Sequence, residues 1–371
     1  MGSARMASTL MPSALICMKA CAGSRLLQAS TKNATCRKTQ TASRIRITRH
    51  CIFMIVLLLF TIIFPRKTII NDCYSLMVSA TKEPRMRPTP ILAAPILAAA
   101  TLAAVLLAGC GTMQIGEANF LKPDKPGAAP RQRLDVAAMF PAATVRDETV
   151  AAADGAQLRG LTVRQPGASA AVLYFGGNMF HLDAHGAGVL PLLAACGSNV
   201  VVFDYRGYGR SGGTPTLARL LADALRVFDH VNAQHPGAVV VHGQSLGSFV
   251  AGHVARERAS VRALVLEATA TNVPDWVDAN VPWYARPFVK LEVGEPLRAV
   301  DNAAVAARYR GPALVLAGTR DKATPPVLGR KVFDALPGPH KQWLQVDATH
   351  NGIFGHPQVA KPYCDLVSQA R

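Results

Sequence analysis

The sequence predicts an α/β fold: a mostly parallel sheet covered by helices on both faces. Three observations predict it. Short runs rich in Val, Leu and Ile recur from residue 145 onward, and amphipathic stretches of helical length separate them. The runs are almost wholly apolar rather than alternating, as strands buried on both faces must be.

The chain has 371 residues, half of them apolar, enough for one large domain or two small ones. A net charge of +17 would suggest nucleic acid or an anionic membrane if it were evenly spread. It is not. Thirteen Lys/Arg against Asp72 and Glu83 lie before residue 86, which leaves only +6 for the rest, so no nucleic-acid partner is expected. Five of the eight cysteines lie in the same early segment.

Residues 1–85 lack periodicity and hold an apolar run at 51–64, fourteen residues, short against the roughly twenty of a membrane-spanning helix. From Met86 the chain reads "MRPTPILAAPILAAATLAAVLLAGCGTMQ", with a basic start, an apolar stretch and small residues before a cysteine. That is the order of a secretory signal. Its end, "LLAGC", resembles the lipobox of bacterial lipoproteins, which implies a signal at 86–109 and an acylated Cys110. Each buried methylene of such an anchor contributes about 0.8 kcal/mol. Gly111 rather than Asp follows the cysteine, so the expected location is the outer membrane, facing the periplasm. A signal belongs at the N-terminus, so Met86 is the expected true start and 1–85 a leader read in error. Residues 110–144, rich in Pro, Gly and Ala, are expected to be a tether, and 145–371 the folded domain.

Within that domain Asp154-Gly155 sits between two strand-like segments, a hairpin signal that opens the sheet in antiparallel fashion. Strands follow at 171–175, 199–204, 238–242, 261–267, 312–318 and 341–346. The last is the least apolar. Helices are predicted near 184–196, 216–234, 246–258, 326–336 and 357–370. There is no internal repeat.

Gly243-Gln244-Ser245-Leu246-Gly247 lies where an apolar strand gives way to a helix, the context of a nucleophile elbow. The serine needs a strained turn, and side chains at Gly243 and Gly247 would collide with the neighbouring strand and helix. A hydroxyl becomes nucleophilic only when a base takes its proton, so an acid and then a histidine should follow. Asp321 comes just beyond one strand and His350 just beyond the next, at the carboxyl edge where open α/β sheets bind ligands. Glu267 is the alternative acid, and His340 and His356 the alternative bases. The oxyanion should rest on the Leu246 N–H and on Asn178, in the loop "GGNMF"; Met179 is the alternative donor.

The motifs "LYFGGN", "FDYRGYGRSGGTP", "HGQSLG", "LAGTRDKATPP" and "ATHNG" together resemble the α/β-hydrolase superfamily over 145–371, in the branch of serine aminopeptidase-type and monoacylglycerol-lipase-type enzymes. The resemblance implies the α/β-hydrolase fold, with about eight strands and a short lid at 272–310. It implies a serine hydrolase that cleaves esters, thioesters or amides of a small-molecule or lipid-like acyl substrate, with no metal and no cofactor. An aminopeptidase and a non-catalytic envelope-anchored binding protein are the other readings. One departure is that the oxyanion loop opens Gly176-Gly177 where the family usually has His-Gly. In that fold the first and last helices cover one face, which brings Cys196 and Cys364 into range of a disulfide. Asp204 and Arg206 are expected to form a local ion pair, and His181 and His185 a solvated helix start rather than a metal site. The lid aromatics Trp276, Trp283, Tyr284 and Phe288 are either core or pocket lining.

Overall fold

A computed structural model describes residues 111–125, 127, 131–286 and 289–369. The chain divides into two units, 1–90 and 91–371, and every described residue belongs to the second. The apolar run 51–64, the signal 86–109 and Cys110 lie outside the described residues.

In chain order the strands are β1 (Gly111–Ile115), β2 (Thr144–Ala151), β3 (Gln157–Arg164), β4 (Ala171–Phe175), β5 (Asn199–Phe203), β6 (Val239–Gln244), β7 (Val261–Glu267), β8 (Val289–Val293), β9 (Ala313–Gly318) and β10 (Lys341–Val346). Eight of them form one sheet in the order β10-β9-β7-β6-β4-β5-β3-β2. Only β3 runs against its neighbours, pairing antiparallel with β2 and β5. The hairpin at Asp154-Gly155 therefore opens the sheet as predicted. Strands β4, β5, β6 and β9 are buried at every residue, whereas the edge strand β10 is half-exposed, which explains its weaker apolar signal.

The helices are α1 (Glu117–Phe120), α2 (Val136–Met139), α3 (Leu182–Ala194), α4 (Leu217–Gln234), α5 (Leu246–Glu257), α6 (Val273–Asn280), α7 (Glu295–Arg298), α8 (Asn302–Arg308), α9 (Pro326–Ala335) and α10 (Pro357–Ser368). Strand side chains alternate between two apolar layers, as a two-residue period requires. Leu173, Val241 and Leu264 face α4, α5 and α9, while Val172, Val240 and Val265 face α3 and α10. Because α3 and α10 share a face, Cys196 and Cys364 meet in a disulfide with Cα atoms 5.0 Å apart.

Two polar groups are paired otherwise than expected. Asp204 does not pair with Arg206. The buried Arg206 guanidinium instead forks onto Asp223 through two bonds of 2.8 Å and reaches Asp154 at 2.6 Å. Asp204 accepts the main-chain N–H groups of Leu182 and Arg210 at 2.7 and 2.8 Å. Burial raises its carboxyl above the usual range, those two bonds notwithstanding. Nor is His181 solvated: it is buried, and both ring nitrogens face acceptors, the Met179 carbonyl at 2.8 Å and Asp124 at 2.9 Å.

The segment expected as a free tether is laid on the domain from Gly111 onward. Strand β1 pairs in parallel with β8, Gly111 opposite Val289 through Ile115 opposite Val293. Leu121 is buried, and Phe120 packs edge-on to Trp276 at 5.7 Å. The lid itself is α6, β8, α7 and α8. Trp276 anchors it, donating through Nε1 to the Ala323 carbonyl at 2.8 Å, whereas Trp283 and Tyr284 are 81% and 57% exposed. Phe288 lies outside the described residues. Among the described residues no helix is long and apolar enough to cross a membrane.

Two stability effects follow. The disulfide closes a loop of sequence separation 168, for which chain entropy gives on the order of 4 to 5 kcal/mol. Cys196→Ser with Cys364→Ser should therefore lower the melting temperature by about 10 °C in calorimetry, and an unchanged melt would refute the constraint. Asp223→Ala, which leaves the buried guanidinium only the half-exposed Asp154, should cost about 3 kcal/mol in denaturant unfolding. Asp154→Ala, whose carboxylate is 43% exposed, should cost under about 1 kcal/mol in the same measurement.

Candidate active site

Strand β6 ends at Gln244 and α5 begins at Leu246, so a single residue makes the whole turn. That residue, Ser245, sits at φ 55 and ψ −115. Such a backbone costs on the order of 1 to 3 kcal/mol for a residue with a side chain. The two glycines are required by contact as well as by turn geometry. A Cβ at Gly243 would lie 2.0 Å from the Gly247 carbonyl oxygen, and one at Gly247 would lie 1.9 Å from that of Phe175. Ser245 N–H donates to the Glu267 carbonyl at 2.9 Å, which ties the turn to the end of β7. Ser248 Oγ donates to the Ser245 carbonyl at 2.6 Å. At the first position of α5, the Leu246 N–H has no intrahelical acceptor and is free to meet negative charge.

The loop after β4 lies against this turn. A Cβ at Gly177 would stand 2.3 Å from Gln244 Oε1 and 3.6 Å from Ser245 Cβ. The departure from His-Gly has a local cause. A Cβ at Gly176 would meet the Phe180 ring at 2.2 Å, so this ring and a larger residue at 176 exclude each other. The Gly176 carbonyl accepts from Tyr205 Oη at 2.8 Å. The Asn178 side chain turns away from Ser245: Oδ1 accepts from Lys122 N–H and Tyr208 Oη, each at 3.0 Å, and Nδ2 donates to the Phe120 carbonyl. Among the described residues the main-chain N–H groups of Asn178 and Met179 have no acceptor. Burial pushes the Tyr208 phenol up to about 12, so it stays a donor throughout the neutral range.

Asp321 follows β9 and His350 follows β10. They meet: His350 Nδ1 lies 2.8 Å from Asp321 Oδ2. The other carboxylate oxygen accepts the N–H groups of Ala323 and Thr324 at 2.9 and 2.8 Å, which fixes the side chain inside its own loop. Asp321 is all but inaccessible, while the His350 ring is 22% exposed and open toward the edge. The alternative acid, Glu267, is engaged elsewhere: one oxygen is 3.3 Å from His242 Nε2 and the other accepts Phe354 N–H at 3.3 Å. His340 is exposed before β10, and His356 caps α10, accepting Gln358 N–H at 3.4 Å. Among the described residues no hydrogen bond joins Ser245 Oγ to the His350 ring, so the trio is one joined pair and one half-buried hydroxyl.

What the sequence reasoning missed is the contribution of residues 120–122 and Tyr208 to the Asn178 loop. No local signal marks it, because the partners lie 58 and 30 residues away. A cavity of about 700 Å³ lies away from this trio. It lies by β2 and β3, lined by Arg131, Arg133, Arg159 and Arg210 against Asp147 and Asp183.

Comparison with known proteins agrees with this architecture. Residues 167–310 match the family described as serine aminopeptidase, S33. An uncharacterized protein of Mycobacterium tuberculosis strain H37Rv is 29% identical over 211 residues, 56% of this chain and 72% of that protein. The lysophosphatidylserine lipase ABHD12 of Mus musculus is 39% identical over 110 residues, 28% of each chain. Among solved structures, the Pyrococcus furiosus esterase Pf2001 superposes with a TM-score of 0.53 at 18% identity, over 65% of this chain and 98% of its own. With the eight-stranded, mostly parallel sheet and these likenesses together, the chain has the α/β-hydrolase fold, and residues 167–310 carry its likeness to the serine aminopeptidase family.

Proposed function

We propose that this α/β-hydrolase is a serine esterase that works through an acyl-enzyme on Ser245. The observation that carries the reading is a serine held at φ 55 between two contact-limited glycines, on the sheet edge where His350 is already bonded to Asp321. Since Nδ1 of His350 faces Asp321, Nε2 is the nitrogen available to take the Ser245 proton. Asp321 fixes the ring and stabilises the imidazolium. Apo geometry often leaves the serine–histidine contact long, and it tightens when substrate binds.

The steps follow from those positions. Ser245 Oγ attacks the acyl carbonyl as His350 Nε2 accepts its proton. The oxyanion rests on the N–H groups of Leu246 and Asn178, each worth about 3 kcal/mol when preorganised. The tetrahedral species collapses, and the alcohol leaves with the proton from His350. Water, deprotonated by the same nitrogen, then releases the acid. Each role is filled by a group of the chain itself. A lipid-like or small acyl ester is the substrate class, in keeping with the lipase named among the relatives; thioesters and amides share the chemistry. An aminopeptidase is the second reading, suggested by the family's description.

We further propose that Cys110 is acylated and holds the enzyme at the bacterial envelope, at the outer membrane facing the periplasm, with Met86 as the start. The "LLAGC" motif supports this.

A fluorophosphonate should label the wild type at Ser245 and spare Ser245→Ala. On p-nitrophenyl esters Ser245→Ala or His350→Ala should lower kcat by about 10⁴ to 10⁶, and a loss below about tenfold would overturn the assignment. Aminoacyl p-nitroanilides cleaved in preference to esters would favour the peptidase. Metabolic labelling with a palmitate analogue should mark the protein and lose the mark in Cys110→Ser; label that persists would put the anchor elsewhere.

A further inference from the structure

The stretch 116–125 lies outside the region that matches the family, yet it is bound to the loops of the sheet's carboxyl edge. Glu117 Oε1 accepts Leu217 N–H, at the start of α4, at 2.6 Å. Leu121 is buried, and Phe120 is seated on the lid residue Trp276. Asp124 accepts Gly209 N–H at 2.8 Å and faces His181 at 2.9 Å, while its own N–H donates to the Gly207 carbonyl at 3.1 Å. Burial raises the Asp124 carboxyl, but the Gly209 bond and the His181 and Arg131 charges outweigh it and hold the group below its ordinary value. The stretch is a strap fastened at several points.

Between those points it grips Asn178. The carbonyl of Phe120 and the N–H of Lys122 take both ends of the Asn178 amide, and the fully buried Tyr208 closes a triangle, donating to Asn178 Oδ1 at 3.0 Å and accepting Lys122 N–H at 2.9 Å. All of these contacts come from outside the loop. The loop in turn abuts Ser245 at Gly177. Two consecutive glycines give its backbone much freedom, whereas an oxyanion donor works only if it is already in place when charge develops.

We propose that Tyr208 and strap residues 120–122 are positioning residues of the acyl-transfer site, holding the Asn178 main-chain N–H at the oxyanion through the Asn178 side chain; this rests on the esterase reading above. None of them touches substrate. Asn178→Ala keeps the N–H and removes its restraint. Tyr208→Phe removes one donor. Lys122→Pro removes the strap N–H alone, and Leu121, at φ −76 and ψ 140, already has the extended backbone a following proline needs.

The test uses the full-length protein, p-nitrophenyl butyrate, fluorophosphonate labelling and thermal melting. Asn178→Ala should lower kcat by about 10- to 100-fold with KM within about threefold, the pattern of a misplaced transition-state donor. Tyr208→Phe and Lys122→Pro should lower kcat by about three- to tenfold, with KM equally unmoved. The double variant Asn178→Ala/Tyr208→Phe should lose no more than Asn178→Ala alone, because Tyr208 acts through Asn178. Folded variants with kcat within about twofold of wild type would overturn the proposal, as would a double loss equal to the product of the singles. If Asn178→Ala does not fold, the Lys122→Pro and Tyr208→Phe values decide it alone. A wild type that neither takes the label at Ser245 nor cleaves the ester would instead remove the esterase reading, and this proposal with it.

Discussion

A one-residue turn between a buried strand and a buried helix is the constraint on which this architecture depends. Ser245 occupies a backbone region that costs about 1 to 3 kcal/mol, and nothing in the pentapeptide itself repays that. The repayment comes from its flanks. All six residues of β6 are buried, β4 and β7 pair along it, and α5 packs Val250, Ala251 and Val254 into the layer beneath. With burial worth roughly 1.5 to 3 kcal/mol per large apolar side chain, a few such residues outweigh the strain several times over. The turn is thus imposed from both sides, and the glycines at 243 and 247 are what let strand, helix and the Phe175 carbonyl come close enough to impose it.

Parallel strands bring the remaining groups to the same edge without further devices. Strands β4, β5, β6, β7, β9 and β10 all end there, so the loop 176–178, the loop 204–213, Ser245, Asp321 and His350 emerge side by side. The order of strands assigns the partners. Neighbouring β9 and β10 deliver the carboxylate and the imidazole together, which is why they are already joined. Strand β7 separates that pair from β6, and its own end carries no competing acid at the edge because Glu267 turns inward to His242. Ala268, next in the chain, is the other described non-glycine residue at positive φ, at 49, and bends the chain away immediately after the strand.

The sheet was legible in sequence because double burial leaves an unmistakable mark: runs such as "AVLYF" and "NVVVF" have no polar face to hide. The elbow was legible because its glycines answer to local sterics. Asp321 and His350 rank above Glu267, His340 and His356 by position after a strand; in the structure those two are bonded to each other, and Glu267 lies against His242 and Phe354. Illegible were the pairings that join distant stretches. Residues 110–144 have the Pro-, Gly- and Ala-rich composition of a linker, yet Gly111 pairs with Val289, 178 positions on. A five-residue strand exposed at Thr112, Met113 and Gln114 owes its existence to that partner and carries no periodicity of its own. Arg206 misled for the same reason: proximity in sequence favoured Asp204, while the bidentate geometry of a guanidinium favoured the carboxylate of Asp223 on α4.

The Gly-Gly opening of the loop after β4 shows how such distant pairings become necessary. Each glycine adds backbone freedom worth roughly 0.5 to 1 kcal/mol relative to alanine. Phe180 stands where a side chain at 176 would go, and one at 177 would have to displace the Gln244 amide, so the loop as built supplies little rigidity of its own. Three side-chain hydrogen bonds from Asn178, at about 1 kcal/mol net apiece, offset that freedom with a little to spare. Two of the three end on main-chain groups of 120–122, which stay in place only because Leu121 is buried and Phe120 is seated on Trp276. In the proposed site preorganisation is thereby moved outward, from a glycine-rich loop to a strap whose apolar residues can be held by packing.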